Sequence, residues 1–400
     1  MTKNTNIVQS LNTPCYVIDL NRFNENIRSI RSAFVNDWGN NILLGYSVKT
    51  NHLPFLFQHA KSQGLFAEVV SVDEYEFALS QGFESEQIIY NGPQKDEKSL
   101  IEAVNQGGVV NIDNFEDIKI LEENLWRINK KFCNLGLRIN FDLDSICRDE
   151  NTIGKEVSRF GICIENGDFE KALLLLNKLG LPVSGLHMHY STKTRSIAVF
   201  KSMAEKAAEL ITKYGLNDSI KFIDIGGGFW GGRQLPNKPT MQEYSKIITV
   251  VLKNIVSPDK VQLILEPGAS ILATAAEYLS KVINIRDIRD TRIVTIDGSI
   301  FHINPFLMNK PSEFSTNSSN GRKIPKQIIC GSTCMEIDRL LYLDDYNEFQ
   351  KGDTITFHFA GAYTMSFNNC FINCPPGVYV RNNNSLCQVR DRSKKYMSQI

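Results

Sequence analysis

Apolar residues in this chain fall into short runs that alternate with stretches of helical spacing. TPCYVIDL (13–20) reads as a strand leaving a turn. Asp19 or Asn21 then stands where a helix is capped, and Phe23, Ile27, Ile30 and Phe34 recur on one helical face. ILLGYSVKT (42–50) reads as a buried strand with a polar exit, and FAEVV (66–70) and LGLRIN (135–140) follow as further strands. GDFEKALLLLNKLG (167–180) reads as a helix closed by Gly180, and IAVFKSMAEKAAELITKYG (197–215) as one closed by Gly215. VSGLHMHY (183–190) and VQLILEP (261–267) read as further strands, and IKFIDI (220–225) runs into three glycines. Strands that are apolar throughout belong to a parallel sheet covered by helices on both faces. More than six strand–helix units in roughly 230 residues fit a closed (β/α)8 barrel of the TIM type.

Beyond about residue 270 the helical period fades. Short β-like runs take over: RIVTID (292–297), DTITFHFA (353–360) and GVYV (377–380). The expected organisation is a barrel over 22–270 and a mainly-β domain built from 1–21 and 271–400. KPSEFSTNSSNGRK (310–323), polar and glycine-bearing, reads as a mobile loop.

Composition narrows the function classes. Lys plus Arg and Asp plus Glu both number 44, so a nucleic-acid partner bound by phosphate neutralisation is not expected. No apolar run approaches the roughly 20 residues that span a bilayer, and MTKNTNIVQSLNTP lacks the apolar core of a secretory signal. Nine cysteines, an odd number in a long chain, point to free thiols and a reduced, cytoplasmic setting.

In a barrel the reactive groups lie at the carboxyl ends of the strands. Lys49 leaves an apolar strand, and a desolvated lysine is a nucleophile towards an aldehyde; the plain alternative is a lysine entering solvent. His187 and His189 sit two apart, so their rings share a face, as an aromatic platform, a metal pair or two packed histidines. The scarcity of other histidines disfavours a metal. Gly226, Gly227 and Gly228 end a strand with bare backbone that can approach a phosphate, or form a plain turn. Glu266, fixed by Pro267 and Gly268, ends another strand and needs a partner such as a pyridinium nitrogen or an arginine. Cys334 is a free thiol, and Cys330/Cys334 and Cys370/Cys374 form two CxxxC pairs without zinc-ribbon spacing. Tyr363 offers a hydroxyl in a small-residue turn. A lysine nucleophile, a stacking histidine, a phosphate cradle, an acid for a ring nitrogen and a thiol together make up what pyridoxal 5′-phosphate requires.

The chain resembles the fold-type III pyridoxal-phosphate decarboxylases, the family of diaminopimelate and ornithine decarboxylases. YSVKTN resembles the family's Y-A-x-K-A-N, SRFGI its S-K-F-G-I, and GLHMHYST its G-L-H-C-H-I-G-S. DIGGGFWG resembles D-I-G-G-G-x-x-G, EPGAS resembles E-P-G-R-S, CGSTCMEID resembles G-P-x-C-[ED]-x-x-D, and GAYTMSFNN resembles G-A-Y-x-x-S. The resemblance implies an alanine-racemase-like fold, a homodimer with active sites at the interface, and decarboxylation of an amino acid. It implies that Lys49 forms the Schiff base and His189 stacks on the ring. Thr192, Gly227, Gly228 and Tyr363 would hold the phosphate, and Glu266, in its Pro267–Gly268–Ala269 turn, the ring nitrogen. Cys334, from the partner chain, would reprotonate Cα.

Departures concern the substrate. Met335 replaces the acid after the cysteine, with Glu336 one place later; Ala269 replaces the arginine of E-P-G-R; and NPFL (304–307) resembles R-P-A-L with Asn304 for arginine. Asp297 matches the aspartate that can meet an amine. The expectation is an atypical or conjugated diamino acid of a siderophore, peptide or polyamine pathway, with diaminopimelate, ornithine or lysine as the alternative. Racemases of this architecture place an arginine against the ring nitrogen, so Glu266 speaks against that class. A non-catalytic pyridoxal-phosphate binder would lose Lys49 or Cys334, and both stand.

Overall fold

The computed structural model describes residues 11–154, 156–307, 313–318, 320–367 and 371–393. They fall into two compact units: the described parts of Met1–Glu25 and Ile271–Ile400 form one, and Asn26–Ser270 the other.

Strand β1 (Cys15–Asp19) leads into helix α1 (Leu20–Trp38). Asp19 Oδ1 accepts from the Arg22 N–H at 3.1 Å, and Phe23, Ile27, Ile30 and Phe34 are all buried, as the spacing predicts. The larger unit is a closed barrel of eight parallel strands. These are β2 (Ile42–Ser47), β3 (Phe66–Val69), β4 (Ile88–Tyr90), β5 (Val109–Ile112), β6 (Asn134–Asn140), β8 (Gly185–His187), β9 (Phe222–Asp224) and β10 (Gln262–Leu265). β10 pairs with β2 and closes the ring; the two-residue β7 (Ile162–Cys163) hangs on β6.

The strand starts plug one end of the barrel. Phe222 packs with Leu43, Ile89, Val109 and Ile264. Its ring lies where a Cβ on Gly185 would come within 2.2 Å, so glycine at 185 is a condition of that plug. Helices α2 (Pro54–Ser62), α3 (Val72–Ser80), α4 (Glu97–Asn105), α5 (Phe115–Glu123), α6 (Asp168–Lys178), α7 (Ile197–Lys213) and α8 (Met241–Leu252) connect the strands. Their starts use local caps: Ser71 accepts from Glu74 N–H, and Thr240 with Glu243 forms a capping box. Gly180 and Gly215 follow α6 and α7 with φ of +68° and +63°, the left-handed conformation expected of them.

The smaller unit is a nine-stranded sheet in the order β15-β14-β12-β11-β1-β17-β18, with β16 on β11 and β13 on β16. Its further strands are β11 (Ala276–Ile288), β12 (Thr291–Ile296), β13 (Phe314–Thr316), β14 (Lys323–Cys330), β15 (Arg339–Asn347), β16 (Thr354–Phe357), β17 (Gly377–Asn382) and β18 (Ser385–Arg390).

Three local expectations are corrected. β2 ends at Ser47, and Lys49 lies in the 3-10 turn Val48–Thr50 that follows, because the carboxyl end of β2 turns towards Asn51 with the Asn51 N–H on the Val48 carbonyl. β8 ends at His187, so His189 stands beyond the strand. The segment 310–323 is not all loop, since Phe314–Thr316 pairs with β16; 310–312 and 319 lie outside the described residues. The longest strand, β11, shows no clear alternation in sequence because its second half, from Ile283 to Ile288, is largely exposed and mixes isoleucine with Asn284, Arg286 and Asp287.

Candidate active site

Each of the eight barrel strands delivers a polar side chain at or just past its carboxyl half. In order these are Lys49, Glu68, Asn91, Asn111, Arg138, His187, Asp224 and Glu266. The strands are parallel, so all eight residues gather at one end.

Hydrogen bonds tie them together. Lys49 Nζ lies 2.5 Å from Glu68 Oε2. Asn91 Nδ2 donates to Glu68 Oε1 at 3.1 Å and to Glu266 Oε1 at 2.5 Å. Asn111 Nδ2 donates to Asn91 Oδ1 at 2.8 Å and to Asp224 Oδ2 at 3.2 Å. The Gly226 N–H donates to Asp224 Oδ1 at 2.8 Å. Glu68, Asn91, Asn111, Asp224 and Glu266 are at most 5% exposed, so this is a desolvated network in which satisfaction of each donor matters.

The two adjacent acids divide their roles. Burial and the neighbouring Glu266 charge hold the Asp224 carboxyl well above the usual carboxylate range. Burial also opposes ionisation of Glu266, but His187 and Lys49 beside it override burial and hold that carboxyl well below the range. Asp224 therefore keeps the proton and Glu266 the charge. Glu266 Oε2 is 3.6 Å from His187 Nε2, which is ion-pair range but too long for a hydrogen bond.

His189 has its ring parallel to that of His187 within 10°, the centroids 6.5 Å apart. Burial, reinforced by the Arg138 charge, pushes its imidazole down to about 3, so it is neutral at physiological pH. The Gly227 N–H donates to its Nδ1 at 3.2 Å, which fixes Nδ1 as the acceptor. The glycine turn has no room for side chains: a Cβ on Gly227 would lie 2.4 Å from the Glu266 carbonyl oxygen, and Gly228 has φ +90°. Gly268 approaches Thr50 as closely, a Cβ there lying 2.5 Å from Thr50 Oγ1, so the Glu266–Ala269 turn packs directly on the Lys49 turn. Ala269 opens the short helix Ala269–Leu272. Thr192 is half-buried and bridges to Asn151.

Five buried polar atoms here lack a hydrogen-bond partner among the described residues: both ring nitrogens of His187, Asn111 Oδ1, Thr50 Oγ1 and Ser270 Oγ. They flank an amine, a neutral imidazole, an ionised acid and bare glycine backbone, a donor set that fits pyridoxal phosphate. His187, Asp224 and Glu266 also place ligand atoms within 4.8 Å of one another, the donor types of a metal site. The amide donors that Asn91 and Asn111 aim at both carboxylates fit a hydrogen-bonded acid pair better than a cation.

In the smaller unit, Cys334, Met335 and Glu336 line a cavity of about 370 Å³ together with Cys330, Arg286 and Arg339. Cys334 and Met335 are exposed, and Glu336 pairs with Arg339 at 2.8 Å. Tyr363 has φ +58° and packs edge-on to the half-exposed Phe306 with centroids 6.4 Å apart. Asp297 is engaged within its own unit, accepting from Ser280 at 2.6 Å, the Lys281 N–H at 2.9 Å and Thr13 at 2.5 Å. Cys370 lies outside the described residues.

Sequence reasoning missed Glu68, Asn91, Asn111, Arg138 and Asp224 as site members, and left His187 without a role. A readable signal existed: each is a polar residue inside or just after an apolar run that ends at the reactive end of the barrel.

A barrel with this constellation defines a class, the pyridoxal-phosphate enzymes of fold type III. Residues 20–273 match the family model described as the pyridoxal-binding domain of pyridoxal-dependent decarboxylases, and the chain belongs to that family. It is 28% identical over 396 residues to a diaminopimelate decarboxylase of Aquifex aeolicus, covering 96% of this chain and 90% of that protein. It is 29% identical over 392 residues to one of Bacillus subtilis, covering 94% and 88%. The crystal structure of diaminopimelate decarboxylase from M. jannaschii superposes with a TM-score of 0.83 at 22% identity, over 97% of this chain and 92% of that one, which is a likeness of fold. The chain is a pyridoxal-phosphate-dependent decarboxylase, a carboxy-lyase acting on an amino acid. Among the described residues no helix is long and apolar enough to cross a membrane.

Proposed function

We propose that this enzyme removes one carboxylate from a diamino acid of the diaminopimelate type. The supporting observation is the joined set Lys49–Glu68–Asn91–Glu266 at the reactive end of the barrel. Lys49 is the amine that tethers the cofactor aldehyde, and Glu68 holds that amine in place. When bound, the cofactor supplies a sink for the electron pair that departing CO2 leaves on Cα. Glu266, the charged acid, keeps a proton on the ring nitrogen. Neutral His189 offers its flat ring for stacking. Gly227 and Gly228, with the hydroxyls of Thr192 and Tyr363, hold the phosphate. Pro267, Gly268 and Ala269 set the turn that aims Glu266. The Cys334 thiol returns a proton to Cα, supplied by the second chain of a homodimer, while Met335 and Glu336 face the distal part of the substrate. Asp297 has three internal donors and is left out of substrate binding in this reading.

The relatives named above favour diaminopimelate over the conjugated substrate expected from Ala269, Asn304 and Met335. That second reading retains one structural support: Phe306, half-exposed beside Tyr363 and 4.6 Å from Phe367, offers an apolar surface next to Asn304. The test is CO2 release and product mass with the holoenzyme on meso-diaminopimelate, ornithine, lysine and distally acylated analogues. Conversion of diaminopimelate to lysine supports the proposal. Turnover of acylated analogues alone would transfer it to the second reading.

A further inference from the structure

The phosphate contacts named so far carry no positive charge, although a phosphate monoester bears close to two negative charges at neutral pH. The loop between β8 and α7 offers one. Arg195 donates from Nη1 to the Phe229 carbonyl at 3.3 Å, and Phe229 directly follows the Gly226–Gly228 turn. The same loop touches the turn at its start, since a Cβ on Gly228 would lie 3.5 Å from the Tyr190 carbonyl oxygen. Loop and turn therefore run side by side, with Thr192 between those two contacts in the sequence.

The loop is held from both sides. Thr152 N–H donates to the Ser191 carbonyl at 3.2 Å, and Lys193 N–H to the Glu150 carbonyl at 2.8 Å. Lys238 Nζ donates to the Thr194 carbonyl at 2.9 Å, and the Tyr244 hydroxyl donates to the Arg195 carbonyl. Arg195 itself has φ +58°, a conformation that a side-chain-bearing residue seldom adopts without surrounding structure to impose it. Its guanidinium lies 5.9 Å from the Trp230 ring, where Arg233 and Lys238 add charge of the same sign at 5.8 and 5.3 Å. α7 begins two residues later, and its N-cap Ser196 makes no side-chain cap. The Gly228 N–H has no intramolecular acceptor among the described residues.

We propose that Arg195 is the cation of the cofactor site, binding the phosphate beside Thr192 and the Gly228 backbone. This rests on the reading of the glycine turn as the phosphate cradle. A guanidinium suits the task because its planar N–H groups meet phosphate oxygens in pairs, and one contact to a carbonyl leaves other N–H groups to do so.

The test is titration of the apoprotein with pyridoxal 5′-phosphate and with pyridoxal, which keeps ring and aldehyde but lacks phosphate, followed by absorbance. Arg195→Ala is expected to raise the Kd for pyridoxal phosphate by about tenfold or more and leave that for pyridoxal unchanged. Arg195→Lys restores part of the loss. Equal weakening towards both ligands, or no weakening towards either, would overturn the assignment of Arg195. Failure of the unmutated protein to bind either ligand would instead remove the reading of the site as a whole.

Discussion

The two units hold their chemistry in opposite ways. In the barrel, Glu68, Asn91, Asn111, Asp224 and Glu266 are buried, sit on or just after strands, and satisfy one another. In the β unit, Cys334, Met335 and Glu336 occupy an exposed turn beside an open cavity. The first arrangement is preorganised by the fold itself. The second is exposed, and it differs from the family pattern at Met335. On the proposed reading, cofactor chemistry sits where the scaffold is stiff, and substrate choice where side chains change without disturbing a core.

That contrast can be broken at its base. Phe222→Ala empties the barrel plug and should cost about 3–5 kcal/mol of stability, measured by urea unfolding. A loss within a few tenths of a kcal/mol would mean the barrel end is not the rigid support described. Cys334→Ala should leave cofactor loading and the melting temperature unchanged while the yield of the normal amine product falls. A full yield would remove the thiol from the reaction.

The smallest effect comes from Glu74 at the start of α3. Burial, with the Glu68 charge, raises its carboxyl from 4.5 to about 7. The folded state therefore holds a proton that the unfolded chain releases from about pH 4.5. Its contribution to stability is full below 4.5, declines as pH rises through 7 and is absent above. Glu74→Gln keeps an acceptor for the Val70 N–H, so the melting temperature of the variant relative to the parent should climb between pH 4.5 and 7.5. A difference that stays flat over that interval would show that Glu74 titrates normally.

The same contrast explains what the sequence disclosed. Barrel strands are apolar on both faces, so their runs and the glycines after α6 and α7 stand out. Lys49, His189 and Glu266 were visible because each ends such a run. Asn91 and Asn111 were not, because a short amide beside an apolar run looks like any strand exit until the barrel closes and aims it inward. β11, β14 and β15 hid for another reason: their outer residues are exposed and charged, which dilutes the alternation. Cys334 and Tyr363 lie in turns, where periodicity carries no signal; their residue types made them candidates, and motif resemblance gave them roles.

The most direct test of the account is to reduce the purified holoenzyme with borohydride and map the peptides by mass. The expected result is a single pyridoxyl group on Lys49 and loss of the visible absorbance. A protein that stays colourless with added pyridoxal phosphate, or a modification on any other lysine, would contradict it.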